Sequence, residues 1–444
     1  TISRHATAVR LAATLLRRGM VGGMFVIGIL LNLGSQLLLS RTLTVAEYGT
    51  FATIYGVGAI LSSLGTLGFD ISSLRFFPNL NNGSRLVFFR YAIHITLFAT
   101  CGLALAFLAL FVLSGSISVL SGLLAGFGIV FWGLVRTASS LLRAVGHYSS
   151  SIFIDRICRD GALALAATFA LVLSQMLSLE LVLLLFCLGS AAGVAAALPG
   201  LRAFISPKVM GQPKSKAIRL WLLASTGVLI VNVLELLNSR LDLLLSYTII
   251  GPEYSAVVNV ITIVMNTMGF PMVFLTVFAM PIVARHYKMR KKNKLYRAIG
   301  IFGGLSFVGG LFIGLFIFIW TDNFMLLFGK KLSDSINNKW IDVLIVVKIL
   351  CFVSSPATLI LLMSGRIKGL AIGYILIVAI KCLLFVVAFP YFGDVVIYWA
   401  ICGGYIGTSL LQLFLMIRAL SNFEDRARKR TGSSVLDKGP RLES

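Results

Sequence analysis

Apolar residues fall in long blocks from one end of this chain to the other, separated by short polar gaps. About 20 apolar residues wound as a helix cross roughly 30 Å of hydrocarbon. Windows bounded by Lys/Arg clusters, Pro and Gly predict twelve such helices, near 19–39, 49–69, 87–113, 117–136, 152–174, 178–201, 219–247, 253–283, 298–320, 341–362, 369–390 and 395–418. The gaps leave no room for a soluble domain. The pattern predicts an all-α polytopic membrane protein.

Composition agrees. Of 444 residues 58% are hydrophobic and 12% charged, and the mean hydropathy is +0.96, far from soluble averages. Arg17 and Arg18 before the first block imitate a signal peptide, but the block runs on through Leu39 without a small-residue cleavage site, so it reads as the first span. When alternate connections are assigned to opposite sides, 32 of the 39 Lys and Arg residues fall on the side of the N-terminus. The other side has Arg41, Lys330, Lys331 and Lys339, and Arg240, Lys348 and Lys381 fall inside spans. This asymmetry is the positive-inside signal and predicts both termini in the cytoplasm. It also accounts for the net charge of +23 without nucleic acid, and it makes anionic membrane lipids the partners of the basic clusters. The six cysteines show no metal-ligand spacing and read as small apolar residues, and nothing calls for a cofactor. No HExxH, GxSxG or phosphate-gripping Gly loop occurs, so enzyme chemistry finds no support.

The chain repeats itself. LNLGSQLLLSRTLTVAEYG (31–49) matches LNSRLDLLLSYTIIGPEYS (237–255) at nine of nineteen positions with a constant offset of 206, including Asn32/Asn238, Ser40/Ser246, Thr42/Thr248, Glu47/Glu253 and Tyr48/Tyr254. A weaker echo pairs LLRAVGHY (141–148) with LLMSGRIKG (361–369). Six spans separate the copies, so both start on the same side and are parallel repeats about an axis along the membrane normal. The domains expected are a six-helix bundle at 1–203, a basic cytoplasmic linker at 204–218, a second six-helix bundle at 219–420 and a basic cytoplasmic tail at 421–444.

With these segments in view, the chain resembles the polysaccharide or O-antigen flippases of the multidrug/oligosaccharidyl-lipid/polysaccharide exporter superfamily. The likeness rests on SRTLTVAEYGTFA at the exit of the first span, LGFDISSLRFFP at the end of the second, LLRAVGHY after the fourth, and RLDLLLSYTIIGPEYSAV across the seventh and eighth. It implies a V-shaped pair of bundles, alternating access, a bacterial inner-membrane location, an undecaprenyl-diphosphate-linked oligosaccharide as cargo, and association with polysaccharide assembly proteins. Twelve predicted spans depart from the fourteen of lipid II flippases.

Polar groups inside the spans carry the candidate chemistry, because a charge at a helix centre costs roughly 2.5–3.5 kcal/mol on insertion scales. In the seventh span Asn232, Glu235, Ser239 and Asp242 share one helix face, and Arg240 lies away from it. Asn32 and Gln36 form a smaller stripe in the first span, and Asn238, Asn259 and Asn266 extend the polar set. These are expected to line a cavity between the halves. Arg240, Lys348, Lys381 and Arg41 are the cations that would face the cargo diphosphate. Snorkelling is the other reading of Arg41, Arg240 and Lys348. Lys381 lies deeper, about 14 Å from the nearer interface at 1.5 Å per residue. Glu235 and Asp242 either bind H+ or Na+ to drive antiport or serve as fixed counter-ions. Pro271 and Pro281 in the eighth span are hinge or static-bend candidates. A drug/cation antiporter of the same superfamily, which favours an acidic cavity, is the competing function. A membrane-embedded sugar polymerase or ligase would need a larger outer loop than 321–340.

Overall fold

The computed structural model describes residues 2–77, 80, 82–173, 176–205, 215–289, 292–357, 360–361 and 367–436. It is 91% helix, and no strand occurs among the described residues. The first half consists of α1 (Ile2–Thr42), α2 (Val45–Gly65), the short α3 (Phe69–Phe76), α4 (Asn82–Leu113), α5 (Val119–Val145), α6 (Tyr148–Ile152), a π-helical turn (Phe153–Ile157), α7 (Cys158–Val172) and α8 (Leu179–Ile205). The second half continues with α9 (Ser215–Ile249), α10 (Pro252–Met268), α11 (Phe270–Lys288), α12 (Lys292–Ile319), the short α13 (Thr321–Leu326) and α14 (Lys330–Asp334), α15 (Asn338–Cys351) with a 3-10 turn (Phe352–Ser354), α16 (Ile367–Phe392) and α17 (Val395–Leu436).

Each of the twelve predicted spans falls on one long rod. Two rods are compound, α6 with α7 and α10 with α11, and α15 is extended by its 3-10 turn. Seven rods contain a continuous stretch long and apolar enough to cross a membrane unaided: Gly19–Thr42, Gly83–Leu113, Val119–Val145, Leu179–Arg202, Asn293–Ile319, Lys368–Phe392 and Val395–Ser421. The rest are short, broken or polar. They include α7 with Arg159 and Asp160 and α9 with Glu235, Arg240 and Asp242. A helix can hold such groups at membrane depth when protein, not lipid, surrounds them. The chain is thus an all-α polytopic membrane protein.

Local chemistry explains several boundaries. Thr44 starts α2 with a reciprocal cap, its hydroxyl accepting from the Glu47 N–H at 3.3 Å while the Glu47 carboxylate accepts from the Thr44 N–H at 3.1 Å. The continuous eighth span with a mid-helix kink at Pro271 is corrected: the rod breaks at Gly269, and Pro271 sits in the first turn of α11, where its missing N–H removes no helical bond. Pro281 lies within α11, and its side chain is outside those described. The last helix, α17, runs on to Leu436 through the basic segment from Arg426 to Arg430. Of the expected linker, 206–214 lies outside the described residues.

The helices gather into two compact units, Thr1–Val260 with Asp322–Ile336, and Ile261–Thr321 with Asn337–Ser444. Although α9 and the start of α10 belong by repeat to the second half, α9 packs on α2 and α3 inside the first unit. That unit has an aromatic core in which Phe88 meets Phe69, Phe77 and Trp221 edge to face, with ring centres 5.0–6.0 Å apart. In the second unit Ala279, Val283, Leu295, Ile360 and Ala419 form a buried aliphatic cluster.

Candidate functional site

The first unit buries an ion pair that the sequence pattern did not single out. Arg159 and Asp160 lie on α7, eleven and twelve residues beyond the start of the rod at Tyr148, or about 16 Å along it at 1.5 Å per residue. Arg159 donates from Nε and an Nη to the two carboxylate oxygens of Asp160 at 2.8 and 3.1 Å. Its guanidinium lies over the Trp132 ring at 4.3 Å and the Tyr55 ring at 5.3 Å. Asp160 also accepts from Asn32 Nδ2 at 3.2 Å and from the Tyr55 hydroxyl at 3.4 Å. With 7% and 1% of their surfaces exposed, the pair is held by hydrogen bonds that offset desolvation. Counting Arg159 with a connection between spans is therefore corrected: it is a buried residue well inside the rod, and an adjacent Arg-Asp inside a predicted span was the available signal.

Asn32 is thus occupied by Asp160, whereas Gln36 and Asn259 come together. Asn259 Nδ2 donates to the Tyr48 oxygen at 3.0 Å and to Gln36 Oε1 at 3.3 Å, and the Tyr48 hydroxyl donates to the same Gln36 oxygen at 3.3 Å. All three residues are buried. The stripe on α9 splits by environment: Glu235 and Ser239 are exposed, Asn232 is half-buried and donates to Ser63 Oγ at 3.1 Å, and Asn238 and Asp242 are buried. Arg240 is half-buried beside Gly56 of α2. Arg41 donates to the carbonyls of Leu327 at 2.7 Å and Leu326 at 3.3 Å, which fastens the end of α13 to α1.

The second unit has a different interior. Its one buried charge among the described residues is Lys381, 5% exposed, on α16. The side chain lines a cleft of about 100 Å³ between α16 and α17, otherwise walled by apolar groups such as Ile377, Leu384 and Trp399 and by the backbone of Gly403, Gly404 and Gly407. A Cβ on Gly404 would overlap the end of the Lys381 chain, so only glycine leaves the ammonium its place. Lys348 on α15 is half-buried, its ammonium 3.8 Å from the centre of the Tyr405 ring. Asn266, near the end of α10, is exposed.

No protein-family model matches the sequence, and no curated protein is similar to it. The fold, in contrast, matches solved structures over nearly the whole chain. A multidrug resistance MATE family transporter of the MOP superfamily in its inward-facing conformation superposes with a TM-score of 0.70 at 13% identity, covering 90% of this chain and 96% of the other. An outward-facing structure of such a transporter gives 0.61 at 14%, covering 95% and 94%. The chain has the fold of a MATE transporter. A MOP superfamily transporter from Pyrococcus furiosus, described as having a binding pocket of reverse polarity that suggests a different function, gives 0.58 at 14%, covering 92% and 93%. On its MATE-type fold this chain places a neutralised ion pair in one unit and a buried ammonium in the other.

Proposed function

We propose that the chain is a flippase that moves an undecaprenyl-diphosphate-linked oligosaccharide from the cytoplasmic to the outer leaflet of a bacterial inner membrane by alternating access, with both termini cytoplasmic. The observation that carries this reading is Lys381, a buried ammonium that lines an otherwise apolar cleft of about 100 Å³. In an apolar setting such a cation favours an anionic ligand and disfavours a cationic one. Lys348 on the same unit and Arg240 on α9 are the further cations proposed to meet the diphosphate. Arg41 is proposed as a weaker contributor, because its guanidinium holds two carbonyls. The polar residues Asn32, Gln36, Asn232, Asn238, Asn259 and Asn266 are proposed to shape the path, and Glu235 or Asp242 to bind the coupling H+ or Na+.

A drug/cation antiporter is the second reading, favoured by the multidrug transporters that share the fold. Reconstitution in proteoliposomes separates the two. A fluorescent undecaprenyl-diphosphate oligosaccharide is expected to flip and a cationic dye to remain in place, and Lys381→Gln is expected to lower flipping by about tenfold or more through loss of a charge-assisted phosphate contact. Dye transport without lipid flipping would reverse the assignment.

A further inference from the structure

The cleft beside Lys381 has one open side. Round α16, Ile377, Leu384, Ile380 and Leu376 follow Lys381 in one direction at about 40°, 60°, 100° and 140°, counting about 100° per residue. Round α17, Ala400, Gly407, Leu410 and Trp399 follow Gly404 in the same sense. The residues nearest Lys381 and Gly404 wall the cleft, and those further round come to the surface. Leu376, Ile380, Trp399 and Leu410 on this rim are 38–62% exposed, and every one is apolar or aromatic. On a polytopic membrane protein such a surface belongs against lipid. The cleft therefore opens sideways into hydrocarbon, with an ammonium in its wall.

Depth and wall chemistry together select what enters. Lys381 lies eleven residues from Phe392, the nearer end of α16, or about 16 Å at 1.5 Å per residue. The phosphates of a resting bilayer sit outside a hydrocarbon core roughly 30 Å thick, so an ordinary phospholipid does not bring its charge to this ammonium. An anion reaches that depth on a lipid whose head is being carried across. The walls suit the part of such a lipid that adjoins its phosphate: sugar hydroxyls would lose hydrogen-bond partners against Ile377, Leu384 and Ala400, whereas a hydrocarbon chain loses none. Helix packing does not demand the glycine at 407, where a Cβ would meet Ile377 at 3.4 Å in ordinary contact. What a side chain there would take away is room in the cleft.

We propose that this cleft is a lateral slot for the prenyl chain of the carried lipid: the first isoprene units lie between α16 and α17 beside the diphosphate at Lys381, and the rest of the chain stays in the bilayer. The proposal rests on the flippase reading above. Photo-cross-linking of the full chain in phosphatidylethanolamine/phosphatidylglycerol proteoliposomes tests it, with undecaprenyl diphosphate bearing a diazirine on its first isoprene unit as the probe. Label is expected on segments 376–384 and 399–410. Excess undecaprenyl phosphate should suppress it by about tenfold or more, and added phosphatidylglycerol should leave it in place. Gly407→Leu, which fills the slot and keeps Lys381, should lower both labelling and flipping by about tenfold or more at an unchanged melting temperature. Absence of label from these segments, displacement by phosphatidylglycerol, or undiminished labelling in folded Gly407→Leu would each overturn the slot. Should Gly407→Leu not fold, labelling and competition on the unaltered chain decide. Lipid flipping without this label keeps the flippase reading and removes the slot; competed label without flipping keeps the slot and removes the flippase reading.

Discussion

At the scale of single residues, each unit buries charge, and each makes a prediction. In the first unit Arg159 is matched by Asp160, so removing one partner strands the other in a dry interior. Asp160→Leu is expected to cost about 3–5 kcal/mol, whereas Arg159→Met with Asp160→Leu should recover most of that loss. Thermal melting in detergent, followed by size-exclusion chromatography, measures both. In the second unit the limiting feature is space. Gly404→Ala puts a methyl group where the flexible end of the Lys381 chain lies, so it should displace the ammonium at a cost of less than about 1 kcal/mol in stability. Gly403→Ala points into open space and should change stability by less than about 0.5 kcal/mol. Flipping of the diphosphate lipid is expected to fall in the first variant and to persist in the second; equal losses in both would remove Lys381 from the cargo path.

At the scale of elements, helix ends and breaks follow local rules, and their consequences are modest. The reciprocal cap of Thr44 and Glu47 has no counterpart in the second repeat, where glycine precedes Pro252 at the start of α10. Thr44→Ala should therefore destabilise by about 1 kcal/mol by leaving the Glu47 N–H without its acceptor at the start of α2. Pro271→Ala should change stability by less than about 1 kcal/mol, because a first-turn proline breaks no helical bond. The same thermal melts decide both. A large loss at Pro271 would mean that the proline, not the break at Gly269, shapes the rod. The π-helical turn before Arg159 is the other irregularity, and it brings Arg156 over the Phe25 ring of α1 at 5.4 Å.

At the scale of the whole molecule, two properties await measurement: orientation and coupling. The excess of Lys and Arg on one set of connections predicts that Ser333→Cys is labelled from outside by an impermeant thiol reagent and Ser84→Cys from the cytoplasm only. The reverse pattern would invert the transporter. For coupling, Glu235→Gln and Asp242→Asn are expected to differ, because Glu235 is exposed and Asp242 is 6% exposed. If one of them binds the driving ion, its variant should flip lipid at a rate that no longer depends on the imposed pH or Na+ gradient. Unchanged gradient dependence in both would leave them as fixed counter-ions.

Much of this was legible in the one-dimensional pattern. Twelve apolar blocks became twelve rods because lipid leaves a backbone no partner but itself, and a helix is the structure that satisfies every group within one segment. The repeat was legible too, since five of the nine identities over nineteen aligned positions are polar or aromatic. Which polar residues would meet was not. Asn32 was grouped with Gln36 by helical spacing, yet Asn32 meets Asp160 on α7 and Gln36 meets Asn259 on α10, 128 and 223 positions away. Helical period reports the face of one helix; the partner on that face is set by how helices pack. Arg159 shows the same limit, because a cation near the start of a span reads as a loop residue until the extra turns of α6 and the π turn carry it inside. The sequence alone determined the membrane class, the number of rods and the parallel repeat, since each follows from hydrocarbon thickness and backbone hydrogen bonding. Only the tertiary structure decided that Asn32 meets Asp160, that Gln36 meets Asn259 and that Gly404 makes room for Lys381, since these depend on ångström-scale approach between separate helices.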